Sequence, residues 1–222
     1  MFKEIILGKR GTVLRENTNQ ELQISLDKEK IKKIFLVNGT NFLTNNISTS
    51  DLLIKPNDYY MIINNNTEPI EVKYSLDISK HKVLYDPYKF ENLKKRNITA
   101  DEIKDLFNIP DNYIDTLPKW YSFKFTYDDY NLIFVKPQIG ISFQIHKRRK
   151  EFWEILEGKP IILNGNRVYY FVEKNTKLQI PINTYHSVIN PNLDKFVIIK
   201  ERWSGHFDEE DITRVFNPNH YQ

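Results

Sequence analysis

Short apolar runs and alternating apolar and polar residues dominate the first third of the chain. Runs of this kind are typical of β-strands with one buried face, and Gly, Pro, Asn and Asp between them are typical of turns. Turn signals of this type occur at Asn38-Gly39 and at Lys55-Pro-Asn-Asp58. The pattern predicts an all-β domain over residues 1–78. Its predicted strands are Glu4–Leu7, Glu21–Leu26, Lys33–Val37, Leu52–Ile54, Tyr59–Ile63 and Ile70–Tyr74.

The middle of the chain has a different pattern. Thr99-Ala-Asp-Glu102 is a capping box, and Ile103 and Phe107 follow at helical spacing. Asn108-Ile-Pro110 ends that helix, because proline cannot continue the hydrogen-bond ladder. We therefore predict a partly helical linker over residues 79–117, packed against a barrel. A second β domain is predicted over residues 118–222.

Four polar side chains in the second β domain have the spacing of a metal site. Gln144 and His146 are two residues apart on a predicted strand, so their side chains share one face. Glu151 begins the next predicted strand, and His186 lies on a much later one. Two imidazoles with two oxygen ligands suit a divalent first-row metal. The alternative is a sheet interior that holds two hydrogen-bonded histidines and a paired glutamate.

Composition excludes several classes of protein. The 32 basic and 29 acidic residues give a net charge of only +3, which does not predict a nucleic-acid partner. The chain contains no cysteine, so disulfides, thiolate catalysis and cysteine zinc sites are excluded. The N-terminal segment has too short an apolar run for a signal peptide, and no stretch is long enough for a membrane span. We expect a cytoplasmic protein without a membrane partner.

Two blocks in the second domain resemble the two motifs of the cupin superfamily, which are small jelly-roll β-barrels. The first block carries Glu151 and Gly158 at the motif spacing. The second carries Pro181, His186 and Asn190, with Asn175 and Asn183 where the motif has glycine.

The same region is more similar to type II phosphomannose isomerases and to the C-terminal isomerase domain of mannose-1-phosphate guanylyltransferases. The run from Val135 to Trp153 resembles the family sequence V-K-P-G-x-x-L-S-L-Q-x-H-x-H-R-x-E-H-W, and the tail Glu209-Glu-Asp-Ile-Thr-Arg214 resembles E-D-D-I-x-R. Arg148 departs from the family, because it replaces the second histidine, and Phe152 replaces another. If the metal uses the Gln-x-His pair, the set Gln144, His146, Glu151 and His186 is complete. If it requires the histidine at Arg148, one ligand is lost and a cation lies beside the metal.

The sequence of the first domain weakly resembles that of the second. In this comparison Gly39 corresponds to Gly158, Met61 to His186 and Lys32 to Glu151. We therefore predict a bicupin, with two jelly-roll barrels, a degenerate and metal-free first barrel, and a short helical linker. The alternative is an unrelated β domain.

The resemblance implies an aldose–ketose isomerase that acts on a sugar phosphate such as mannose 6-phosphate, with bound zinc, manganese, nickel or iron. Arg149 and Arg214 are then candidates for holding phosphate or stabilising an oxyanion, and Glu209 is a candidate proton carrier. A homodimer is expected by analogy. The alternatives are a non-catalytic module that binds a sugar or nucleotide sugar, and a metal-dependent dioxygenase. No Gly-rich nucleotidyltransferase loop precedes the second domain, so guanylyltransferase activity is not expected.

Overall fold

The computed structural model describes residues 2–206 and 211–219. Strands account for nearly all of the regular structure in these residues, which confirms the all-β prediction. The only α-helices there are α1 (Lys28–Ile31) and α2 (Ala100–Lys104), and single 3₁₀ turns occur at Ser50–Leu52 and Ile78–Lys80. No helix in this part of the chain is long and apolar enough to cross a membrane.

The chain divides into two compact units, with the boundary after Pro87. The first unit also includes the later segment Gly165–Tyr169, which supplies one of its strands. Residues 88–164 and the chain from Tyr170 onward form the second unit. The strands of the first unit are β1 (Phe2–Ile6), β2 (Leu14–Glu16), β3 (Leu22–Ser25), β4 (Ile34–Asn38), β5 (Asn41–Leu43), β6 (Leu53–Ile54), β7 (Tyr59–Asn64), β8 (Ile70–Tyr74), β9 (Lys82–Tyr85) and the later β17 (Arg167–Tyr169).

The first unit packs two antiparallel sheets around an apolar core. One sheet has the order β1-β8-β3-β6, and the other has the order β17-β5-β4-β7-β2-β9. Alternation along β3 turns Leu22 and Ile24 inward, where they meet Leu36 and Ile62 from the opposite sheet. Burying these side chains supplies most of the driving force for closing the two sheets.

The second unit has the same two-sheet construction. Its strands are β10 (Asp115–Pro118), β11 (Ser122–Thr126), β12 (Asn131–Val135), β13 (Ile139–Gly140), β14 (Phe143–His146), β15 (Arg149–Glu157), β16 (Ile161–Asn164), β18 (Lys177–Ile180), β19 (His186–Asn190), β20 (Val197–Gly205) and β21 (Ile212–Phe216). One sheet has the order β10-β11-β12-β20-β15-β18, and the other contains β21-β14-β19-β16 with β13 paired to β19. The core between them is made by residues such as Ile155, Val188 and Ile199.

Residues 88–117 of the predicted linker belong to this second unit, whereas residues 79–87, which include β9, belong to the first unit. Helix α2 begins with the predicted capping box, in which Thr99 Oγ1 accepts from the Glu102 N–H and the Glu102 carboxylate accepts from the Thr99 N–H. The helix is shorter than the apolar spacing indicates, because it ends at Lys104. Ile103 and Phe107 nevertheless pack on aromatic residues of β11 and β12, including Phe134. The linker therefore covers one face of a sheet.

Several non-glycine residues adopt the left-handed conformation that favours glycine. Asn175 and Asn183, which stand where the cupin motif has glycine, have φ of 66° and 55°. Gln138, which replaces the glycine of the V-K-P-G run, has φ of 59°. Asparagine tolerates this conformation better than most residues, so the motif turns are retained without their glycines.

The two units repeat the same local features at a constant offset of 126 residues. Asn38 pairs with Tyr60 in the first unit, and Asn164 pairs with His186 in the second. The side chain of Asn64 binds the backbone of three residues, and Asn190 binds the backbone in the same manner.

The strand register therefore changes the correspondence read from the sequence. Gly39 matches Gly165 rather than Gly158, and Tyr60 rather than Met61 occupies the position of His186. Leu22 pairs with Ile54 as Glu151 pairs with Ile180, so by strand pairing it replaces Lys32 as the counterpart of Glu151, although these two residues are 129 rather than 126 residues apart.

Candidate active site

The β14–β15 turn sets the spacing of the candidate site. The carboxylate of Asp211 accepts the backbone N–H of Lys147 at 3.1 Å and that of Arg148 at 2.9 Å. This holds the turn closed between His146 and Arg149. The family-like tail thus has a structural role at Asp211, because it fixes the two strands that carry the site.

Alternation along β15 decides which of its residues enter the barrel. Arg149, Glu151 and Trp153 are buried, whereas Lys150 and Phe152 point outward. Ile155 continues the inward face into the apolar core. The period of two therefore places one cation and one carboxylate at the site and leaves the intervening lysine in solvent.

Three of the four predicted ligands converge. The ligand atoms of His146, Glu151 and His186 lie within 4.8 Å of one another, and all three side chains are buried. His146 Nε2 lies 2.9 Å from Glu151 Oε1, and His186 Nε2 lies 3.7 Å from Glu151 Oε2. Trp153 Nε1 donates to Glu151 Oε2 at 3.1 Å. The two blocks of sequence thus meet at a single carboxylate.

His186 is oriented as a neutral donor ligand. Its Nδ1 lies 2.9 Å from the carbonyl oxygen of Thr184, to which the Nδ1–H donates. The lone pair of Nε2 is then left facing the cluster, which is the tautomer that metal coordination requires. Burial lowers the pKa of His186, although the charge of Glu151 acts in the opposite direction.

Gln144 also reaches the cluster, but its amide nitrogen rather than its amide oxygen faces His186. It is the cross-strand partner of His186, and its Nε2 lies 3.3 Å from His186 Nε2. Its Oε1 accepts a hydrogen bond from Ser142 Oγ at 3.0 Å. In this arrangement Gln144 supports His186, and a ligand role for its oxygen remains a prediction.

The cation beside the cluster is Arg149 rather than Arg148. Arg148 lies exposed at the turn, whereas Arg149 is 4% exposed. Arg149 Nε donates to Glu151 Oε1 at 2.9 Å, and its Nη2 lies 3.0 Å from His146 Nε2. Burial alone raises the pKa of Glu151, but the neighbouring His146, His186 and Arg149 outweigh burial and lower the pKa to about 2. Glu151 is therefore an anion in this site.

The three donor groups are of types that bind divalent metals, but a neighbouring cation already contacts two of them. Two imidazole nitrogens and a carboxylate are ligands of zinc and of iron, manganese or nickel. Nδ1 of His146 is buried and has no hydrogen-bond partner among the described residues. This cation is Arg149, which lies within hydrogen-bonding distance of two of the three ligand atoms.

A cavity of about 130 Å³ lies beside the cluster within the second unit. Among the described residues its walls carry four basic side chains and two acidic ones, namely Lys119, Lys124, Arg149, Arg214, Glu151 and Glu201. Arg214 is the cross-strand partner of Gln144 on β21, and this brings it to the cavity wall. Glu209, the predicted proton carrier, lies outside the described residues. The excess of basic groups suits an anionic ligand.

Glu201 is a cavity residue that the sequence analysis did not identify. It is 8% exposed on β20, and its Oε1 accepts from Asn131 Nδ2 at 2.8 Å. Burial and the neighbouring charge of Glu151 raise the pKa of Glu201 to about 7. The signal was present in the sequence, because Glu201 follows Val197 and Ile199 in the inward phase of the strand. A carboxyl group at a core position indicates a functional site.

Part of this region is similar in sequence to a known protein family. Residues 122–217, fewer than half of the chain, match the family described as mannose-6-phosphate isomerase C-terminal. Mannose-1-phosphate guanylyltransferase RfbM of Salmonella typhimurium is 32% identical over 83 residues, which are 37% of this chain and 17% of that protein. Mannose-1-phosphate guanylyltransferase of Klebsiella pneumoniae is 33% identical over 86 residues, which are 38% of this chain and 18% of that protein. The chain thus spans less than a fifth of these relatives.

Solved structures show weaker similarity. A cupin-2 domain from Rhodospirillum rubrum has a TM-score of 0.35 and 15% identity, over 41% of this chain and 68% of that one. The capsular polysaccharide assembling protein CapF from Staphylococcus aureus has a TM-score of 0.35 and 19% identity, over 48% of this chain and 32% of that one. TM-scores and sequence identities this low carry no information about function. The sequence match shows that residues 122–217 resemble the C-terminal domain of mannose-6-phosphate isomerases, and the two-sheet architecture of the second unit agrees with the jelly-roll fold predicted from the sequence.

Proposed function

We propose that the cupin domain isomerises a sugar phosphate between its aldose and ketose forms. The observation that carries this proposal is a cavity whose wall combines Glu151 of the His–Glu–His cluster with four basic side chains and the buried Glu201. The similar proteins are named for mannose phosphates, which makes mannose 6-phosphate the first substrate to test.

Residues of the cavity and of the cluster have distinct tasks in this proposal. Arg214, Lys119 and Lys124 bind the phosphate, because they are the basic groups outside the cluster. His146, Glu151 and His186 would hold a divalent ion, which when bound lowers the energy of negative charge on the sugar oxygens. Glu201 removes the proton from C2 of the aldose and returns it to C1, while the hydroxyl proton on O2 moves to O1. The reaction transfers protons only and needs no oxidant.

Glu201 suits the proton-transfer task because of its surroundings. A carboxyl group that titrates near neutral pH can both accept and return a proton, and the pKa of Glu201 is raised to about 7. Asn131 fixes one carboxylate oxygen, so the other can be directed at the substrate. Glu209, which the sequence also predicts as a proton carrier, has the same carboxyl group and remains a candidate for this task.

The test is interconversion of mannose 6-phosphate and fructose 6-phosphate by wild-type protein and by Glu201→Gln. We expect kcat to fall at least about 100-fold in Glu201→Gln, the usual contribution of a positioned general acid–base. Glu157→Gln is the matched control, because Glu157 forms an exposed ion pair with Lys174. No interconversion by the metal-loaded wild type would refute the isomerase assignment for this substrate.

A second candidate function is non-catalytic binding of a sugar phosphate or nucleotide sugar. Arg149 favours it, because this side chain satisfies Glu151 and His146 without any metal. This candidate predicts measurable affinity for a sugar phosphate in the presence of a chelator and no turnover. Equal affinity with and without chelator, combined with absent turnover, would select it over the isomerase.

We also infer that the first unit is a degenerate copy of the cupin domain. The constant residue offset and the matching asparagine contacts support duplication. Tyr60 and Leu22 stand at the positions of His186 and Glu151, so this unit lacks the imidazole and the carboxylate of the cluster. Titration of the full chain with divalent metal should therefore give one ion per chain, and His186→Ala should leave none.

A further inference from the structure

We propose that Arg149 is the resident cation of the metal-free site and that a divalent ion binds only by displacing its guanidinium. The inference rests on the proposed metal site and adds to it the way in which metal loading is controlled. It assigns Arg149 two positions, one between the ligands and one in the cavity.

The first step concerns the atoms for which the two cations compete. Arg149 Nε donates to Glu151 Oε1 at 2.9 Å, and Nη2 lies 3.0 Å from His146 Nε2. A metal would bind the same oxygen and nitrogen at about 2.0–2.2 Å. Both cations need the same lone pairs, and the guanidinium spans the two ligand atoms. The ion and the bound guanidinium therefore cannot occupy the site together.

The second step concerns charge. Glu151 is 1% exposed, and an unpaired carboxylate at that depth is costly. Arg149 provides its buried counter-charge, so the folded protein does not require a metal to bury Glu151. If the guanidinium stayed in place, a divalent ion would add two positive charges beside a third. Exchange of one cation for the other removes this repulsion.

The third step concerns the destination of the guanidinium. Arg149 already lines the cavity together with Arg214, Lys119 and Lys124. Moving a further positive charge toward these groups is unfavourable in an empty cavity and favourable when a phosphate is bound there. Metal and phosphate should therefore bind cooperatively, and the coupling must be reciprocal. The basic wall of the cavity then controls metal loading.

The experiment measures affinity for Mn²⁺ by the electron paramagnetic resonance signal of the free ion, with and without mannose 6-phosphate. Arg149→Gln is expected to bind Mn²⁺ at least about tenfold more tightly than wild type, the scale on which neighbours of a metal site act. Mannose 6-phosphate should tighten Mn²⁺ binding in wild type and have less effect in Arg149→Gln. Lys150→Gln is the matched control, because it removes the adjacent positive charge from the exposed side of β15.

The outcomes separate this inference from the proposed function. If His186→Ala loses Mn²⁺ while Arg149→Gln binds it no more tightly than wild type, the exchange is wrong and the metal site stands. If no variant binds Mn²⁺, the metal site and the exchange are both wrong. Should Arg149→Gln fail to fold, Arg149→Lys is used, because one ammonium group cannot span both ligand atoms as the guanidinium does. Unchanged Mn²⁺ affinity in Arg149→Lys would also overturn the exchange.

Discussion

Asn131 and Glu201 are direct cross-strand partners on β12 and β20, and Asn131 Nδ2 lies 2.8 Å from Glu201 Oε1. Oδ1 of the same asparagine is buried and has no hydrogen-bond partner among the described residues. The pair thus combines a carboxyl group whose pKa is raised with an amide that is only partly satisfied. The protonation state of Glu201, and with it the hydrogen bonding of this pair, therefore changes with pH.

Glu201 should make the stability of the protein fall as pH rises toward neutrality. Its pKa is raised from 4.5 to about 7 in the folded state, so below pH 4.5 the carboxyl is protonated in both states. Between pH 4.5 and 7 the unfolded chain ionises first, and the free energy of unfolding decreases by on the order of 3 kcal/mol. Denaturant unfolding of wild type and Glu201→Gln across this range should show that the substitution removes this decrease. An unchanged slope in Glu201→Gln would show that Glu201 has an ordinary pKa.

The sequence predicted the strands and the convergence of the site better than the details of the site. His146, Glu151 and His186 were predictable because motif spacing and the period of two fix which side chains point inward. Arg149 was also a candidate, but its hydrogen bond to His146 could not be predicted, since it depends on the turn closed by Asp211, a contact between residues far apart in the chain. The correspondence of Met61 with His186 was wrong by one residue, and a shift of one reverses the face of a strand.

Asp211→Asn tests whether the β14–β15 turn positions the site. Backbone hydrogen bonds from Arg148 and Lys147 to its carboxylate lower the pKa of Asp211 and outweigh the opposing effect of burial. The amide retains the shape but weakens these charge-assisted bonds, so we expect a loss of about 1–2 kcal/mol in the free energy of unfolding. We also expect weaker Mn²⁺ binding, measured by the free-ion signal. Normal metal affinity in a destabilised variant would limit Asp211 to a stability role.

Asn190→Ala and Asn64→Ala should both destabilise the protein, because both side chains satisfy backbone carbonyls that are buried or partly buried. Asn190 Nδ2 donates to the carbonyls of Val135 and Lys195, and Asn64 Nδ2 donates to three carbonyls. Leaving such carbonyls unpaired costs about 1–3 kcal/mol each. Thermal unfolding of both variants measures this cost. Asn192→Ala removes only a partner of the Asn190 side chain and should have a smaller effect. Loss of stability in one unit alone would argue that the two asparagines are not equivalent.

His186→Ala should abolish metal binding while leaving the fold intact. His186 contributes an imidazole whose Nδ1 is held by Thr184 and whose Nε2 faces Glu151, so its removal deletes one of the three converging donors. Removal also leaves a buried space the size of the ring, since the side chain is fully enclosed. Free imidazole can enter such a space and replace the missing donor. We therefore expect His186→Ala to lose Mn²⁺ and isomerase activity, and millimolar imidazole to restore both in part. Restored metal binding without restored turnover would show that the ion is structural, and that catalysis by the second unit does not pass through this site.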